Sequence, residues 1–177
     1  MEGSMTTNRE AFRRMIRLSE GTANSPLTKN DGYDVIVTGM DTNWEPTPEV
    51  FTDYEWHPFA VGNSVSAWRP PKIINRNGLE STASGGYQIL RRFWLIYQRQ
   101  LTLPDFSPAS QDLYADEQFR ERKALGMIDA GQLTAAINAV AGLWASMPGP
   151  AYAGQSQHGI NACKAFYEQS GGLYSPN

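Results

Sequence analysis

The sequence predicts an α+β fold. Helical patterns occupy both ends of the chain, a short β-branched run stands near its front, and a stretch rich in tryptophan and proline without helical period lies between them. At 177 residues and 41% hydrophobic, the chain can bury one substantial core, whereas two independent domains would be cramped.

The first helix is announced by Thr7-Asn8-Arg9-Glu10, a capping box, after which Phe12, Met15, Ile16 and Ser19 trace one face. It should end at Glu20, ahead of the turn-prone run Gly21-Thr22-Ala23-Asn24. A turn-rich stretch over 23–32 leads to the strand candidate Tyr33-Asp34-Val35-Ile36-Val37-Thr38. Residues 39–71 carry Trp44, Trp56 and Trp68, and 32–75 read as a small irregular β lobe with long loops. From Gly86 the pattern turns helical, with Ile89, Leu90, Phe93, Trp94, Tyr97 and Leu101 forming a broad apolar stripe. Ser107-Pro108 opens a further helix to about Arg122, with serine as cap and proline in the first turn. A short helical turn around Leu125 to Asp129 leads through Gly131 to a helix marked by Leu133, Ala136, Ile137, Val140 and Trp144, stopped before Pro148. The last helix spans Gln157 to Gln169 and ends at Gly171-Gly172. One domain is expected over 1–177: a disordered lead over 1–6, and a helical lobe from 7–22 and 86–172.

Composition narrows the function. A formal net charge of -3 gives no general attraction to nucleic acid. No window approaches the roughly 18 to 20 apolar residues of a membrane span, and the polar start lacks the apolar core of a secretory signal, so a cytoplasmic protein with no stable membrane association is expected. Cys163 is the only cysteine and sits in a helical apolar pattern, as a buried thiol rather than a nucleophile would. His57 and His158 stand in no metal-ligand spacing, which argues against a zinc amidase or peptidase; no metal and no cofactor are expected.

Glu20 is the prime candidate for chemistry. A carboxylate on the last turn of a helix faces the negative end of the dipole, which disfavours ionisation and suits a general acid at neutral pH. Asp31, Asp34 and Asp53 are the carboxylates expected near a cleft with it. Asp31 and Asp34 read either as braces of the β lobe or as a second catalytic carboxylate. On composition, Ser81-Thr82-Ala83-Ser84-Gly85-Gly86-Tyr87-Gln88 reads first as a Ser/Gly helix start with Tyr87 and Gln88 in its first turn; the other reading is a binding motif in which small residues let a ligand approach the backbone while Tyr87 and Gln88 supply a ring and an amide. Arg69, Lys72, Arg76, Arg91 and Arg92 cluster near this motif and read as partners for acidic peptide groups or as ordinary surface charges.

An ordered set of motifs then suggests a family. Ala11-Phe12 through Ser19-Glu20-Gly21-Thr22, Gly32-Tyr33-Asp34-Val35-Ile36-Val37, Phe51-Thr52-Asp53-Tyr54 with His57-Pro58, and the 81–88 motif come first. Asp105-Phe106-Ser107-Pro108 with Ser110-Gln111-Asp112, Met127-Ile128-Asp129 and Trp144-Ala145-Ser146-Met147-Pro148-Gly149 follow in order, from about Thr7 to Gly172. Together they resemble the lambda-type phage endolysins, lytic transglycosylases with a lysozyme-like fold. Apparent insertions around 38–50 and 59–71 depart from the family pattern.

The resemblance implies a glycan groove between a helical and a β lobe, Glu20 as the single essential acid, and substrate-binding roles for Ser81, Thr82, Ser84, Tyr87, Gln88 and Tyr152. It implies a phage endolysin that cleaves peptidoglycan glycan strands, with the C6 hydroxyl of the sugar as attacking group. Such a protein is expected to act as a monomer, to accumulate in the host cytoplasm, and to depend on a holin that opens the inner membrane before it reaches the periplasm. Two other readings stand beside it: a hydrolytic muramidase pairing Glu20 with Asp34 or Asp31, and a catalytically silent wall-binding phage protein. The tryptophan-bearing insertions read either as a lip over the glycan or as packing beneath the β lobe.

Overall fold

A computed structural model describes residues 7–60, 69–148 and 158–175. The expectations placed on residues 1–6, Trp68 and Tyr152 lie outside them. The described residues form six helices and two small antiparallel sheets, in agreement with the α+β expectation. They fall into two compact units, Met1–Gly21 with Ala115–Asn177, and Thr22–Tyr114.

The first unit is helical. Helix α1 (Asn8–Ser19) starts at the expected capping box: the Thr7 N–H donates to Glu10 Oε2 at 2.8 Å, and the Glu10 N–H donates to Thr7 Oγ1 at 3.2 Å. Its predicted apolar face is buried, and Phe12 meets Phe119 edge-on with centroids 5.3 Å apart. The edge of this face is tied by charge, with Arg9 Nε to Asp129 Oδ1 at 3.0 Å and Arg13 Nε to Asp116 Oδ1 at 2.9 Å. Helices α4 (Leu125–Asp129) and α6 (Ile160–Gln169) pack on α1, and α5 (Leu133–Ala139) packs on both α4 and α6. Gly171, at φ 82°, closes α6 in the left-handed turn expected of a helix-ending glycine.

Helix α5 is shorter than its periodicity suggests. It stops at Ala139, and residues 140–147 turn back through an Ala141–Trp144 bridge with Gly142 at φ 83°. Trp144 is nonetheless in the core, 5.9 Å from the Phe119 ring. The helical spacing of Val140 and Trp144 thus reflects burial, not helix.

The second unit holds the sheets, helix α2 (Arg91–Gln100) and the first half of α3 (Pro108–Glu121). Strand β1 (Val35–Met40) pairs with β2 (Pro46–Val50) across a loop organised by Asp41, whose Oδ1 accepts the N–H groups of Asn43 at 2.7 Å and Glu45 at 2.9 Å. The apparent insertion at 38–50 is therefore an ordered hairpin. Pro46 and Pro48 disguise β2 in the sequence, yet a strand with an open edge tolerates them. Strands β3 (Lys72–Ile73) and β4 (Glu80–Ser81) form a second, shorter hairpin.

Helix α2 departs most from expectation. It begins at Arg91 rather than near Gly86, because Ser84 and Ile89 pair as a β-bridge and hold residues 85–88 in a tight turn. Of the predicted stripe within α2 only Trp94 is buried; Phe93 is exposed, as is its neighbour Ile96. The core of this unit instead gathers around Phe106, which meets Trp94 and His57 edge-on, each with centroids 4.7 Å apart.

Candidate active site

Glu20 caps the C-terminus of α1, its N–H donating to Ile16 O at 2.8 Å, and Gly21 at φ 75° turns the chain away. Burial pushes its carboxyl above the ordinary carboxylate value, and hydrogen bonds from the Ser146 side chain and backbone offset part of that rise. The direction is the one the sequence suggests, but the largest cause is burial rather than the helix end. A carboxyl so placed holds its proton further toward neutral pH than a surface glutamate, as a general acid must.

Ser146 was not singled out by the sequence as a partner of Glu20, from which it is 126 positions distant. Its hydroxyl donates to Glu20 Oε1. The Ser19 hydroxyl lies 3.1 Å from Ser146 Oγ and 3.3 Å from Ser146 O, and the His158 N–H donates to that same carbonyl at 2.8 Å. Buried Trp144 and Met147 flank Ser146 in the chain and anchor it in the core.

Within the second unit, Asp34 is buried and its carboxylate is occupied by the 28–34 loop. Oδ1 accepts the Thr28 hydroxyl and Oδ2 accepts the Lys29 N–H at 2.8 Å. This is the bracing arrangement. Asp31 occupies a left-handed turn position at φ 47°, and Asp53 Oδ1 accepts the Glu55 N–H at 2.9 Å.

The 81–88 motif divides into a buried centre and two more open ends. Tyr87 is only 1% exposed, and its hydroxyl donates to Asp112 Oδ1 at 2.5 Å, an oxygen that also accepts the Tyr33 hydroxyl at 2.7 Å. In place of the sugar-facing ring read from the sequence, Tyr87 is a core residue that pins helix α3. Ser84 is likewise fully buried between β1 and Ile89, and its hydroxyl has no hydrogen-bond partner among the described residues. Ser81 Oγ accepts the Ala83 N–H at 3.2 Å, and Thr82 Oγ1 accepts the Arg91 N–H at 3.1 Å at the head of α2.

Gln88 remains partly open, at φ 47°, with its amide turned toward Gly85 O at 3.1 Å. A non-glycine residue in this region stores strain of about 1 kcal/mol or more, a feature that concentrates at ligand sites. The helix-start reading of Tyr87 and Gln88 does not hold, since α2 begins three residues after Gln88.

The hub beneath the motif was missed by sequence reasoning. Gln111 is fully buried; its Oε1 accepts the Gly86 N–H at 2.9 Å, while Nε2 donates to Tyr33 O at 3.1 Å and Phe106 O at 2.9 Å. Gly85 must be glycine beside it, for its φ is +77° and an added Cβ would lie 2.2 Å from Gln111 Oε1. The basic cluster is partly spoken for: Arg69 and Lys72 both pair with Glu49, Lys72 at 2.6 Å, and Arg92 lies over the Phe93 ring at 4.7 Å. Trp44 stands partly exposed at the hairpin tip, with Arg76 over its ring at 5.9 Å.

Comparisons with known proteins place this geometry in context. A family described as Endolysin matches residues 10–174. The endolysin of Escherichia phage P2 is 51% identical over 166 residues, covering 94% of each chain. That of Escherichia phage lambda is 42% identical over 170 residues, covering 95% of this chain and 94% of the relative. Among solved structures, bacteriophage lambda lysozyme complexed with a chitohexasaccharide superposes with a TM-score of 0.80 at 40% identity, covering 98% of this chain and 99% of that one. Another structure of lysozyme from bacteriophage lambda gives a TM-score of 0.75 at 38% identity over the same shares.

Proposed function

We propose that this chain, which belongs to the endolysin family, cuts the glycan strands of peptidoglycan between N-acetylmuramic acid and N-acetylglucosamine as a lytic transglycosylase. It is a phage endolysin with a lysozyme-like α+β fold, a glycosidase that brings about lysis of the host. The finer assignment concerns how the cut bond is resolved. Glu20 gives its proton to the leaving glycosidic oxygen and the C1–O bond breaks. The C6 hydroxyl of the same muramic sugar then bonds to C1, and its proton returns to the Glu20 carboxylate. Proton and bond counts balance without water, and the product ends in a 1,6-anhydro ring.

The observation that carries this reading is the commitment of Asp34. Both of its oxygens are held by the Thr28–Lys29 turn, so it serves the loop, and Glu20 is left to act as acid and then base. The binding of a chitohexasaccharide by lambda lysozyme supports the reading of extended amino-sugar strands as the substrate.

Digestion of purified sacculi tests it directly. The released muropeptides are expected to be lighter by one water than hydrolytic products and to resist borohydride reduction. Reducible muramic ends in the mass spectrum would assign the cut to a hydrolase and direct attention to Asp34.

No helix among the described residues is long and apolar enough to cross a membrane. We propose that the protein, acting as a monomer, gathers in the host cytoplasm and reaches the periplasmic wall once a holin permeabilises the inner membrane. Expression alone is then expected to leave turbidity unchanged until chloroform or a holin is supplied. Prompt lysis with an intact inner membrane would contradict this.

A further inference from the structure

We propose that Ser146, oriented by Ser19, is the positioning residue that aims the Glu20 carboxyl and carries it between its acid and base forms; this rests on Glu20 being the reacting acid of the cycle above. The inference begins from a directed chain of hydroxyls. Ser19 lies on the last turn of α1, buried, with its Oγ 3.1 Å from Ser146 Oγ. A hydroxyl that accepts from one neighbour keeps its single proton for another. Ser146 gives that proton to Glu20 Oε1.

Two consequences follow for the acid. An oxygen that accepts a hydrogen bond from the Ser146 hydroxyl serves as the carbonyl oxygen of the protonated carboxyl, which directs the transferable proton to the other oxygen, Oε2. After transfer the same bond becomes charge-assisted and stronger, which favours the carboxylate that must next receive the C6 hydroxyl proton. Burial alone would favour the neutral form of Glu20, keeping the proton in place but making its release harder, because the carboxylate left behind is destabilised. The Ser146 side chain and backbone act against burial and leave both forms within reach.

The arrangement is rigid enough to set direction. The carbonyl of Ser146 is held by the His158 N–H at 2.8 Å, and Trp144 and Met147 on either side are buried. Supporting groups fixed in this way keep a reacting side chain in its productive geometry.

The test compares Ser146→Ala, Ser146→Thr and Ser19→Ala with the unaltered enzyme on purified peptidoglycan, following kcat and KM across pH. Ser146→Ala is expected to lower kcat by about 10- to 100-fold with KM unchanged, the range that follows from a misdirected reacting group. Because the Ser146 bond lowers the Glu20 pKa, its removal should also move the alkaline limb of the kcat profile to higher pH. Ser146→Thr keeps the hydroxyl and should restore both. Ser19→Ala should shift the limb in the same direction by less.

An alanine variant with the original limb and kcat, or a threonine variant as impaired as alanine, overturns the proposal. Should Ser146→Ala not fold, an unaltered pH profile in Ser19→Ala does the same. The products of each digest are identified in parallel. Reducible muramic ends with a shifted limb would remove the transglycosylase reading while leaving the role of Ser146 intact.

Discussion

Glu20→Gln is expected to abolish lytic activity, lowering the rate by a factor of about 10² to 10⁴, the usual worth of a positioned general acid. Glutamine matches the carboxyl in shape and retains an oxygen to accept from Ser146, but it has no proton to give the leaving oxygen. Stability should move the other way. Burial raises the folded-state pKa of Glu20 above its unfolded value, so the unfolded chain releases that proton first, and stability drains away as pH climbs from the unfolded pKa through the folded one. Glutamine does not ionise and escapes this loss. The variant should therefore melt at or above the parent temperature, by a margin that widens as pH rises from the unfolded pKa to the folded one and is constant beyond it. Turbidity assays on permeabilised cells and thermal melts across pH check the two halves. A variant that lyses near the parental rate would end the assignment of Glu20.

Trp94→Ala should give the largest loss of stability, about 3–5 kcal/mol, the range for deleting a large buried aromatic side chain. Trp94 is fully buried against Phe106 at 4.7 Å and near Tyr114 at 6.4 Å, and Phe106 in turn carries His57. Removal of the indole leaves a cavity at the point where these rings converge. For a chain of this length, such a loss corresponds to a fall in Tm of roughly 6 to 20 °C. Trp94→Phe keeps one ring and should lose clearly less. A calorimetric loss below about 1 kcal/mol in the alanine variant would show that the rings close over the gap, contrary to the close packing expected of a core.

Features written in adjacent residues were legible in the sequence. The Thr7–Glu10 box opens α1, Ser107-Pro108 opens α3, and Leu125–Asp129 forms its short helix, because each depends on groups within one turn of chain. What escaped depends on contacts between distant segments. The Ser84–Ile89 bridge delays α2, and β1 gives β2 a partner in spite of its prolines. The aliphatic and aromatic residues of α2 show helical spacing, but spacing does not say which face meets the core, and here Phe93 and Ile96 meet solvent.

The site divides in the same way. Glu20 could be picked out because a helix end, a carboxylate and a glycine turn are consecutive. Its partner Ser146 could not, since only folding brings position 146 to position 20. Tyr87 and Gln88 are neighbours in the sequence with opposite fates: one is buried on Asp112, the other is left partly open by a left-handed turn. No periodicity of a two-residue stretch could separate them.

Cys163 is fully buried beside Met147, and burial pushes its thiol up to about 11. At neutral pH the sulfur is therefore both shielded and almost wholly protonated, and it is the only cysteine in the chain. A cysteine introduced on the surface would be the single site for maleimide or spin-label attachment in the folded protein, so dyes or distance probes can be installed without first replacing a native residue.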